Sequence, residues 1–501
     1  MSETVDAVVT WAPTNDEIRN ARITDFITWL GIHRGLEFER YRELHAWSIE
    51  AVSDFWDALR EYFDVIGTGF GHEALISSNM PGAVWYPNAK MNFAENLLRW
   101  ASDPQKAHDI AICELDEQDH VTEITWSELA GRVGALSNQL LALGVGKNDV
   151  IAAVLPNVPE AIIGLLAAAS IGAIWTISSP DLSVDATLGR LQQLEPKVLL
   201  CINGYMFNKQ KQDCTQKSIE VASGLSSVEH IIWIDGYRSG AVKVPESHLL
   251  FADLVSAPTP PVFDSLPFDH PLWVLFSSGT SGTPKGIVHG HGGITLEAYK
   301  AFGLQHDISQ SDVFYVAANT SWMVWNTLVF ALCQGAQVIC YSGYPFLDGP
   351  DKHFRILSER QATFFAIGAA YLTAVEKSGL VPNTYLNFSR LRSILSTGSP
   401  LPLSTWLWVH SSIKKHIHLG SDSGGTDICS GFIGSNPVEP VRLGILQGPS
   451  LGVAVESWGE NGERIYDSLG EMMITKPLPS MPLYFWDDPD NSKYFEAYFE
   501  D

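Results

Sequence analysis

The sequence predicts an α/β protein with two lobes, each built on a parallel sheet covered by helices. Short β-branched runs alternate with helical patterns from about residue 110 onward. A second series of such runs follows a loop rich in Gly, Ser and Thr. The chain has 501 residues, of which 46% are hydrophobic, so it can bury a large core and form roughly two to four domains or subdomains.

A helical extension is predicted ahead of these lobes, over residues 1–85. Helix-forming stretches such as 41–63 alternate there with tryptophans. We expect those side chains to pack inward, namely Trp11, Trp29, Trp47 and Trp56.

The first α/β lobe is predicted over residues 86–270. Its strand patterns DIAICEL, DVIAAVL and AIWTIS are separated by helical patterns. The apolar stretch 161–177 is slightly short for a membrane span and lacks cationic flanks, so it predicts a buried helix followed by a buried strand. Proline accumulates over 255–271, where we place the boundary.

The second α/β lobe is predicted over residues 271–435. Its strand patterns are VFYVAAN, GAQVICYS, ATFFAIG, RSILSTGS and KHIHLGS. After about residue 435 the strands become shorter and are separated by Gly and Pro turns, which predicts a small β-rich subdomain over 436–501.

Composition disfavours several classes of function. Lys and Arg total 32 against 57 for Asp and Glu, and the formal charge of -25 repels nucleic acid and anionic membranes. The six cysteines include no CxxC pair, which argues against a zinc site or a disulfide framework. The first residues do not resemble a signal peptide. We therefore expect a cytoplasmic protein that binds no nucleic acid and does not insert into a membrane.

The segment WVLFSSGTSGTPKGIVHGHGG, residues 273–293, predicts a phosphate-binding loop. It does not fit the Gly-Lys-Ser/Thr ending of the common phosphate loop, because Lys285 follows Pro284 and precedes Gly286. Its glycines nevertheless permit close backbone approach, its hydroxyls donate hydrogen bonds and its lysine adds charge. A flexible surface loop is the disfavoured alternative. The predicted loop residues are Ser277, Ser278, Gly279, Thr280, Ser281, Gly282, Thr283 and Lys285.

SSGTSGTPKG resembles the signature of the adenylate-forming superfamily of acyl-CoA synthetases. The segments TGSPL, residues 397–401, and SDSGGTD, residues 421–427, resemble later motifs of that superfamily in the expected order. The resemblance covers nearly the whole chain from about residue 80. It implies the large domain of these enzymes, in which two sheet-containing α/β lobes pack together beside a small distorted β-barrel subdomain.

The resemblance also implies roles for individual residues. Lys285 would contact the ATP phosphates and Thr426 the α-phosphate, while Asp427 would help to place Mg²⁺. Most members have glutamate at the last position, and the shorter aspartate is expected to reach the metal through water. His289 and His291 are candidate acid-base groups just past the loop, but a structural role is favoured for both. The residues implied on the adenine and ribose side are Gly398, Ser399, Pro400, Ser421, Asp422, Ser423 and Gly425.

Within the superfamily, segments such as IVHGHGG, SWMVWN and SGGTDICS resemble the branch that activates acetoacetate. Enzymes that activate acetate carry a tryptophan where this chain has Gly424, so we expect glycine to free volume for a longer acid. The Thr397 hydroxyl is expected to donate to the β-keto oxygen. The implied acyl pocket consists of Trp322, Met323, Val324, Thr397 and Gly424.

The implied reaction converts acetoacetate, ATP and coenzyme A into acetoacetyl-CoA, AMP and pyrophosphate, with Mg²⁺ bound. Two alternatives remain open: an acyl-CoA synthetase for another short- or medium-chain acid, and a nucleotide-binding module without catalysis. Members of the superfamily continue into a small C-terminal lid domain that carries a catalytic lysine, and this sequence ends before it. We therefore expect a fragment of a longer enzyme that binds ATP and acid but forms adenylate slowly and thioester barely.

Overall fold

The computed structural model describes residues 8–238, 248–277 and 284–500. The predicted N-terminal extension forms four helices, Asn15–Asn20, Arg22–Arg34, Tyr41–Glu50 and Val52–Tyr62. Thr14 caps the first of them. Its side chain accepts a hydrogen bond from the Glu17 backbone N–H, and the Glu17 carboxylate accepts one from the Thr14 backbone N–H. The side chains of Trp11 and Trp56 are buried as expected, whereas Trp29 and Trp47 remain partly exposed.

One large sheet has eight strands. Its spatial order is Leu249–Leu250, His230–Ile234, Val198–Ile202, Val150–Val154, Ile174–Ser178, Pro271–Ser277, Lys285–Gly290 and Tyr484–Phe485. The first six strands are parallel to one another, and each of the last two runs antiparallel to the strand before it in this order. The intervening helices are Trp126–Ala142, Pro159–Ser170, Val184–Leu191, Thr215–Ser223 and Phe251–Leu254.

A second large sheet has seven strands. Its spatial order is His418–Ser421, Ser393–Thr397, Phe364–Gly368, Val313–Val316, Gln337–Tyr341, Ile110–Leu115 and Val121–Thr125. The first six strands are parallel and the last is antiparallel. Its helices are Thr327–Cys333, Lys352–Glu359, Ala369–Lys377 and Leu403–Ser412.

The two sheets exchange strands across the boundary that the sequence suggested near residue 270. The hairpin of Ile110–Leu115 and Val121–Thr125 joins the seven-stranded sheet, while Pro271–Ser277 and Lys285–Gly290 extend the eight-stranded one. An alternation of strand and helix patterns shows that a strand exists, but it does not show which sheet the strand joins.

The apolar stretch 161–177 forms the buried helix and buried strand that its composition predicts, Pro159–Ser170 and Ile174–Ser178. A side chain at Gly164 would lie 2.8 Å from the Trp175 ring, so the helix packs closely on the sheet. None of the helices in the three described ranges has the length and apolar character needed to cross a bilayer.

The remaining helices and short strands lie outside the two large sheets. The helix His291–Ala298 continues into a π-helix, Tyr299–Gln305. Strands after residue 435 attach to several neighbours: Val441–Arg442 pairs with Val9–Trp11, and Gly448–Pro449 joins the hairpin Ser423–Gly425 and Ser430–Gly434. Further elements are Gly67–Thr68, Leu75–Ser77, Val84–Trp85, Lys90–Met91, Phe93–Leu98, Arg99–Ser102, Gln192–Leu194, Gly204–Phe207, Gln210–Asp213, Leu266–Pro267, Met323–Asn326, Pro382–Thr384, Val455–Trp458, Glu471–Ile474 and Ser492–Tyr498.

Candidate active site

Three of the segments that the sequence singles out lie at one edge of the seven-stranded sheet. Residues 322–324 follow the strand Val313–Val316, residues 398–400 follow Ser393–Thr397, and residues 422–427 follow His418–Ser421. These strands are parallel, so their carboxyl ends share an edge. In open α/β sheets ligands bind beyond such carboxyl ends.

The carboxyl ends of the eight-stranded sheet meet this edge. The Thr320 hydroxyl donates to the Leu155 carbonyl at 2.6 Å, and the Ser179 backbone N–H donates to the Ser321 hydroxyl at 2.8 Å. Leu155 and Ser179 each follow the last residue of a strand in that sheet. The candidate site therefore lies where both sheets end.

The ends of the predicted phosphate loop are well defined. Ser277 and Lys285 are cross-strand partners in an antiparallel hairpin, so Lys285 leaves the loop directly opposite the residue that enters it. The Lys285 Nζ lies 5.4 Å from the centroid of the Phe485 ring, a cation-π distance. The other predicted loop residues lie outside the described ranges: Ser278, Gly279, Thr280, Ser281, Gly282 and Thr283.

The strand that begins at Lys285 also reaches Asp427. Residues 285, 287 and 289 share one face of this strand, because side chains alternate between the two faces of a sheet. His289 Nε2 on that face lies 3.0 Å from the backbone carbonyl of Asp427. A carbonyl only accepts, so Nε2 carries the proton. One strand face therefore joins the end of the phosphate loop to the turn that contains Asp427.

Both histidines after the loop have structural roles. His289 is fully buried, and burial lowers its pKa to about 4 because the charged imidazolium is poorly solvated there. Its ring also contacts the Cys429 Sγ, at 3.7 Å from Nδ1. The His291 Nδ1 accepts a hydrogen bond from the Phe93 backbone at 3.1 Å, and burial holds the pKa of His291 well below its usual value. Neither side chain is placed to donate charge to a ligand.

Thr426 and Asp427 begin the turn after the strand Ser423–Gly425. The Tyr498 hydroxyl donates to Asp427 Oδ1. A side chain at Gly425 would lie 2.6 Å from Asp427 Oδ2, so glycine makes room for this carboxylate. Tyr498 could not be identified from a motif, because the sequence around it offers only an aromatic-rich segment.

Asp427 suits a magnesium ion that arrives with phosphates. Within the three described ranges, no group of three His, Cys, Asp or Glu side chains is placed to hold a metal. A single carboxylate matches Mg²⁺, which usually keeps several waters and binds through one or two carboxylates and the phosphates of its substrate. The donor set therefore fits a metal-nucleotide complex better than a metal cage made by protein alone.

On the predicted adenine and ribose side, the Asp422 carboxylate is already held inside the protein. Its Oδ1 accepts from the backbone N–H of Ser435 at 2.8 Å and from the Ser435 hydroxyl at 2.7 Å. Gly398 has φ of 84°, which favours glycine, and it presents exposed Ser399 and Pro400 at the sheet edge. Ser421 ends its strand at the same edge, and Ser423 and Gly425 lie in the hairpin that follows.

The predicted acyl pocket contains a small cavity of about 10 Å³, room for roughly one water molecule. Trp322 and Met323 line it together with Phe276 and Arg190. Trp322 is 68% exposed, so this wall is open to solvent. Arg190 was not predicted, because it lies in the helix Val184–Leu191 with no motif around it.

Two expectations for this pocket require correction. A Cβ at Gly424 would lie 2.1 Å from the Ser430 carbonyl oxygen, so the paired strand requires glycine there and the missing side chain leaves no free volume. The Thr397 hydroxyl donates to the Asp422 carbonyl at 3.2 Å, so its one proton is already used. That Trp322, Met323, Val324, Thr397 and Gly424 line the acyl pocket stays a prediction.

Comparison with known proteins identifies the family of this chain. Residues 99–484 match the AMP-binding enzyme family, and residues 41–97 match the acetyl-coenzyme A synthetase N-terminus. The chain is 37% identical to the acetoacetyl-coenzyme A synthetase of Rhizobium meliloti (strain 1021), over 98% of this chain and 75% of the relative. It is 33% identical to the malonamoyl-CoA synthetase of Penicillium aethiopicum, over 85% of this chain and 63% of that protein.

The solved structure of acetoacetyl-CoA synthetase from Streptomyces lividans matches with a TM-score of 0.95 and 38% identity, covering 98% of this chain and 76% of that one. The predicted α/β adenylate-forming fold is thereby confirmed. From the agreement in sequence and in fold, the chain belongs to the acetoacetyl-CoA synthetase family of AMP-binding enzymes.

Proposed function

We propose that this protein joins acetoacetate to coenzyme A in an ATP-dependent ligation that releases AMP and pyrophosphate. The observation that carries the proposal is the strand beginning at Lys285, which leaves the phosphate loop and contacts the Asp427 turn through His289. This contact supports a site in which the Lys285 cation and the Asp427 carboxylate act together on a ligand held by the phosphate loop. The acetoacetyl-coenzyme A synthetase relatives support acetoacetate as the acid.

The reaction has two displacements. A carboxylate oxygen of the acid attacks the α-phosphorus of ATP, and the bond to the bridging oxygen breaks to release pyrophosphate. The thiolate of coenzyme A then attacks the acyl carbon, and AMP leaves. Neither step needs a nucleophile from the protein, so its contribution is positioning and charge neutralisation.

Lys285 and the loop N–H groups would stabilise the charge on the phosphates, and Thr426 would contact the α-phosphate. Asp427 would hold Mg²⁺ through water, and the metal when bound supplies further positive charge to the phosphates.

Arg190 gives the acid side of the site a cation. Its Nη1 donates to Ala186 of the same helix at 2.8 Å, and within the described residues it forms no ion pair. Burial lowers its pKa, the expected effect when a guanidinium is partly desolvated. Such a group suits an oxygen of the acid, since guanidinium-oxygen hydrogen bonds are charge-assisted. We assign Arg190 to the β-keto oxygen.

A second acid deserves a direct test because of the malonamoyl-CoA synthetase relative. Malonamate keeps the β-carbonyl oxygen of acetoacetate and replaces its methyl group by an amino group. Arg190 would donate to the β-carbonyl oxygen of either acid, so the choice between the two acids depends on the wall around Trp322 and Met323.

The experiment measures exchange of labelled pyrophosphate into ATP with acetoacetate, malonamate, butyrate or acetate. Acetoacetate should support the fastest exchange. Lys285→Ala should lower exchange by about 10²- to 10³-fold, the usual effect of removing one donor to a developing negative charge. Lys377→Ala is the matched control, because Lys377 is an exposed lysine at the end of the helix Ala369–Lys377.

Faster exchange with malonamate or butyrate would reassign the acid but keep the reaction class. Binding of MgATP without exchange with any of the four acids, even after the C-terminal lid domain is restored, would favour a nucleotide-binding module instead.

A further inference from the structure

The last described helix, Ser492–Tyr498, is fixed at its start by one buried carboxylate. Asp488 accepts hydrogen bonds from the backbone N–H groups of Lys493 at 3.1 Å and Tyr494 at 2.8 Å. An acidic side chain that accepts from the first N–H groups of a helix stabilises that end. The helix is therefore anchored to the segment that precedes it.

Aromatic packing fixes the other end of this helix. The Tyr498 ring lies 5.5 Å from the Phe485 ring and 5.1 Å from the Tyr494 ring, measured between centroids. Phe485 pairs with Ile287 on the strand that begins at Lys285. Edge-on aromatic pairs at these distances are favourable and restrict ring orientation. The Tyr498 hydroxyl is thus directed by packing.

This hydroxyl ends on the carboxylate that the site would use for metal. It donates to Asp427 Oδ1, while His289 Nε2 donates to the backbone carbonyl of the same residue at 3.0 Å. Asp427 Oδ2 lies over Gly425 without a protein donor within the described residues.

We propose that Tyr498 is a positioning residue that holds one oxygen of Asp427 and leaves the other for the hydrated metal of MgATP. The inference rests on the proposed function, since it assumes that Asp427 meets a metal-nucleotide complex. Partners that orient a metal-binding carboxylate typically change metal affinity by about 10- to 100-fold when they are removed.

The test is Tyr498→Phe, which removes the hydroxyl but keeps the ring. Tyr494→Phe is the matched control, because the Tyr494 hydroxyl comes from the same helix and donates to the Pro482 carbonyl at 3.3 Å. Isothermal titration calorimetry measures ATP binding to the full 501-residue chain, once with Mg²⁺ and once with EDTA. We expect Tyr498→Phe to weaken binding of MgATP about tenfold and to change binding of metal-free ATP less than twofold. Tyr494→Phe should change neither.

A double-mutant cycle with Asp427→Asn separates positioning from a general loss of structure. In the Asp427→Asn background, Tyr498→Phe should cause no further loss of MgATP affinity. Equal loss with and without Mg²⁺, additive losses in the cycle, or no loss in Tyr498→Phe would each overturn the inference. If the unaltered chain binds no MgATP, the proposed function fails and this inference fails with it. If the unaltered chain and Tyr498→Phe bind MgATP equally well, only this inference fails.

Discussion

The two sides of the candidate site differ in how firmly the protein holds them. On the Asp427 side, His289 and Tyr498 each donate to Asp427, and Gly424 lies against the backbone of the neighbouring strand. On the acid side, Trp322 is 68% exposed and Arg190 bonds only to its own helix in the described structure. One side is a set of mutually fixed groups, and the other has an exposed tryptophan and, within the described residues, a cation without an ion pair.

This difference separates the part of the reaction that all adenylate-forming relatives share from the part that varies among them. Charge developing on phosphate is stabilised best by groups that need no rearrangement. Acids differ by a few atoms, and an apolar wall distinguishes a methylene by only about 1–3 kcal/mol. We therefore expect the Asp427 side to serve the step that these relatives share, and the Arg190 side to distinguish one acid from another.

The largest expected effect is the loss of stability when His289, on the Asp427 side, is protonated. Burial lowers the pKa of His289 in the folded chain to about 4, below the ordinary value of 6.5, so between these two values the unfolded chain binds a proton that the folded chain resists. Stability should be complete above pH 6.5 and should fall as pH falls toward 4. A shift of this size corresponds to about 3 kcal/mol at one site. Denaturation at a series of pH values, for the unaltered chain and for His289→Gln, measures the contribution.

Glutamine can still donate to the Asp427 carbonyl but does not titrate, so His289→Gln should flatten the curve between pH 6.5 and 4. His33→Gln is the control, because His33 is exposed. The charged or titratable neighbours of His289 are Asp427 and Cys429. An unchanged pH slope in His289→Gln would mean that other buried histidines, such as His353 and His418, dominate the acid response.

A smaller effect is expected from crowding the hairpin that leads to Asp427. The Cβ of Gly424→Ala would meet the Ser430 carbonyl oxygen at 2.1 Å, so the strands must separate. Overpacking of this kind costs about 1–3 kcal/mol. Gly448→Ala is a matched control in the same three-stranded sheet, because its Cβ would meet nothing within 4 Å. Urea denaturation should show a lower midpoint for Gly424→Ala, and equal midpoints for both variants would remove the crowding argument.

Much of the fold could be predicted because it depends on patterns within the chain. The buried helix Pro159–Ser170 and strand Ile174–Ser178 follow from one apolar stretch, and the strands at Thr397 and Ser421 follow from short β-branched runs. Strand exchange between the sheets could not be predicted, because the partner of Ile110–Leu115 is Gln337–Tyr341, more than 200 positions along the chain.

Some residues of the candidate site could be proposed from the sequence because they belong to a motif. Others could not, because their contacts depend on tertiary packing. Lys285 and Asp427 lie in recognisable segments, whereas Tyr498 and Arg190 reach the site from helices without a motif. Gly424 was identified but explained by the wrong cause. A glycine that frees volume and a glycine that admits a neighbouring strand are identical in sequence, and only the position of Ser430 distinguishes them.

The smallest effect is expected from Arg190→Met on the acid side. This substitution keeps an unbranched side chain and removes the guanidinium. Loss of a charge-assisted hydrogen bond to the β-keto oxygen should raise the KM for acetoacetate about tenfold and leave the KM for ATP unchanged. Butyrate has no keto oxygen, so its KM should change little, and the ratio of the two effects reports the contact. An equal increase for both acids would place the guanidinium at the carboxylate, and no increase for either would exclude Arg190 from the acid site. Selective loss for acetoacetate would mean that the acid side of the site distinguishes acetoacetate from butyrate through one cation.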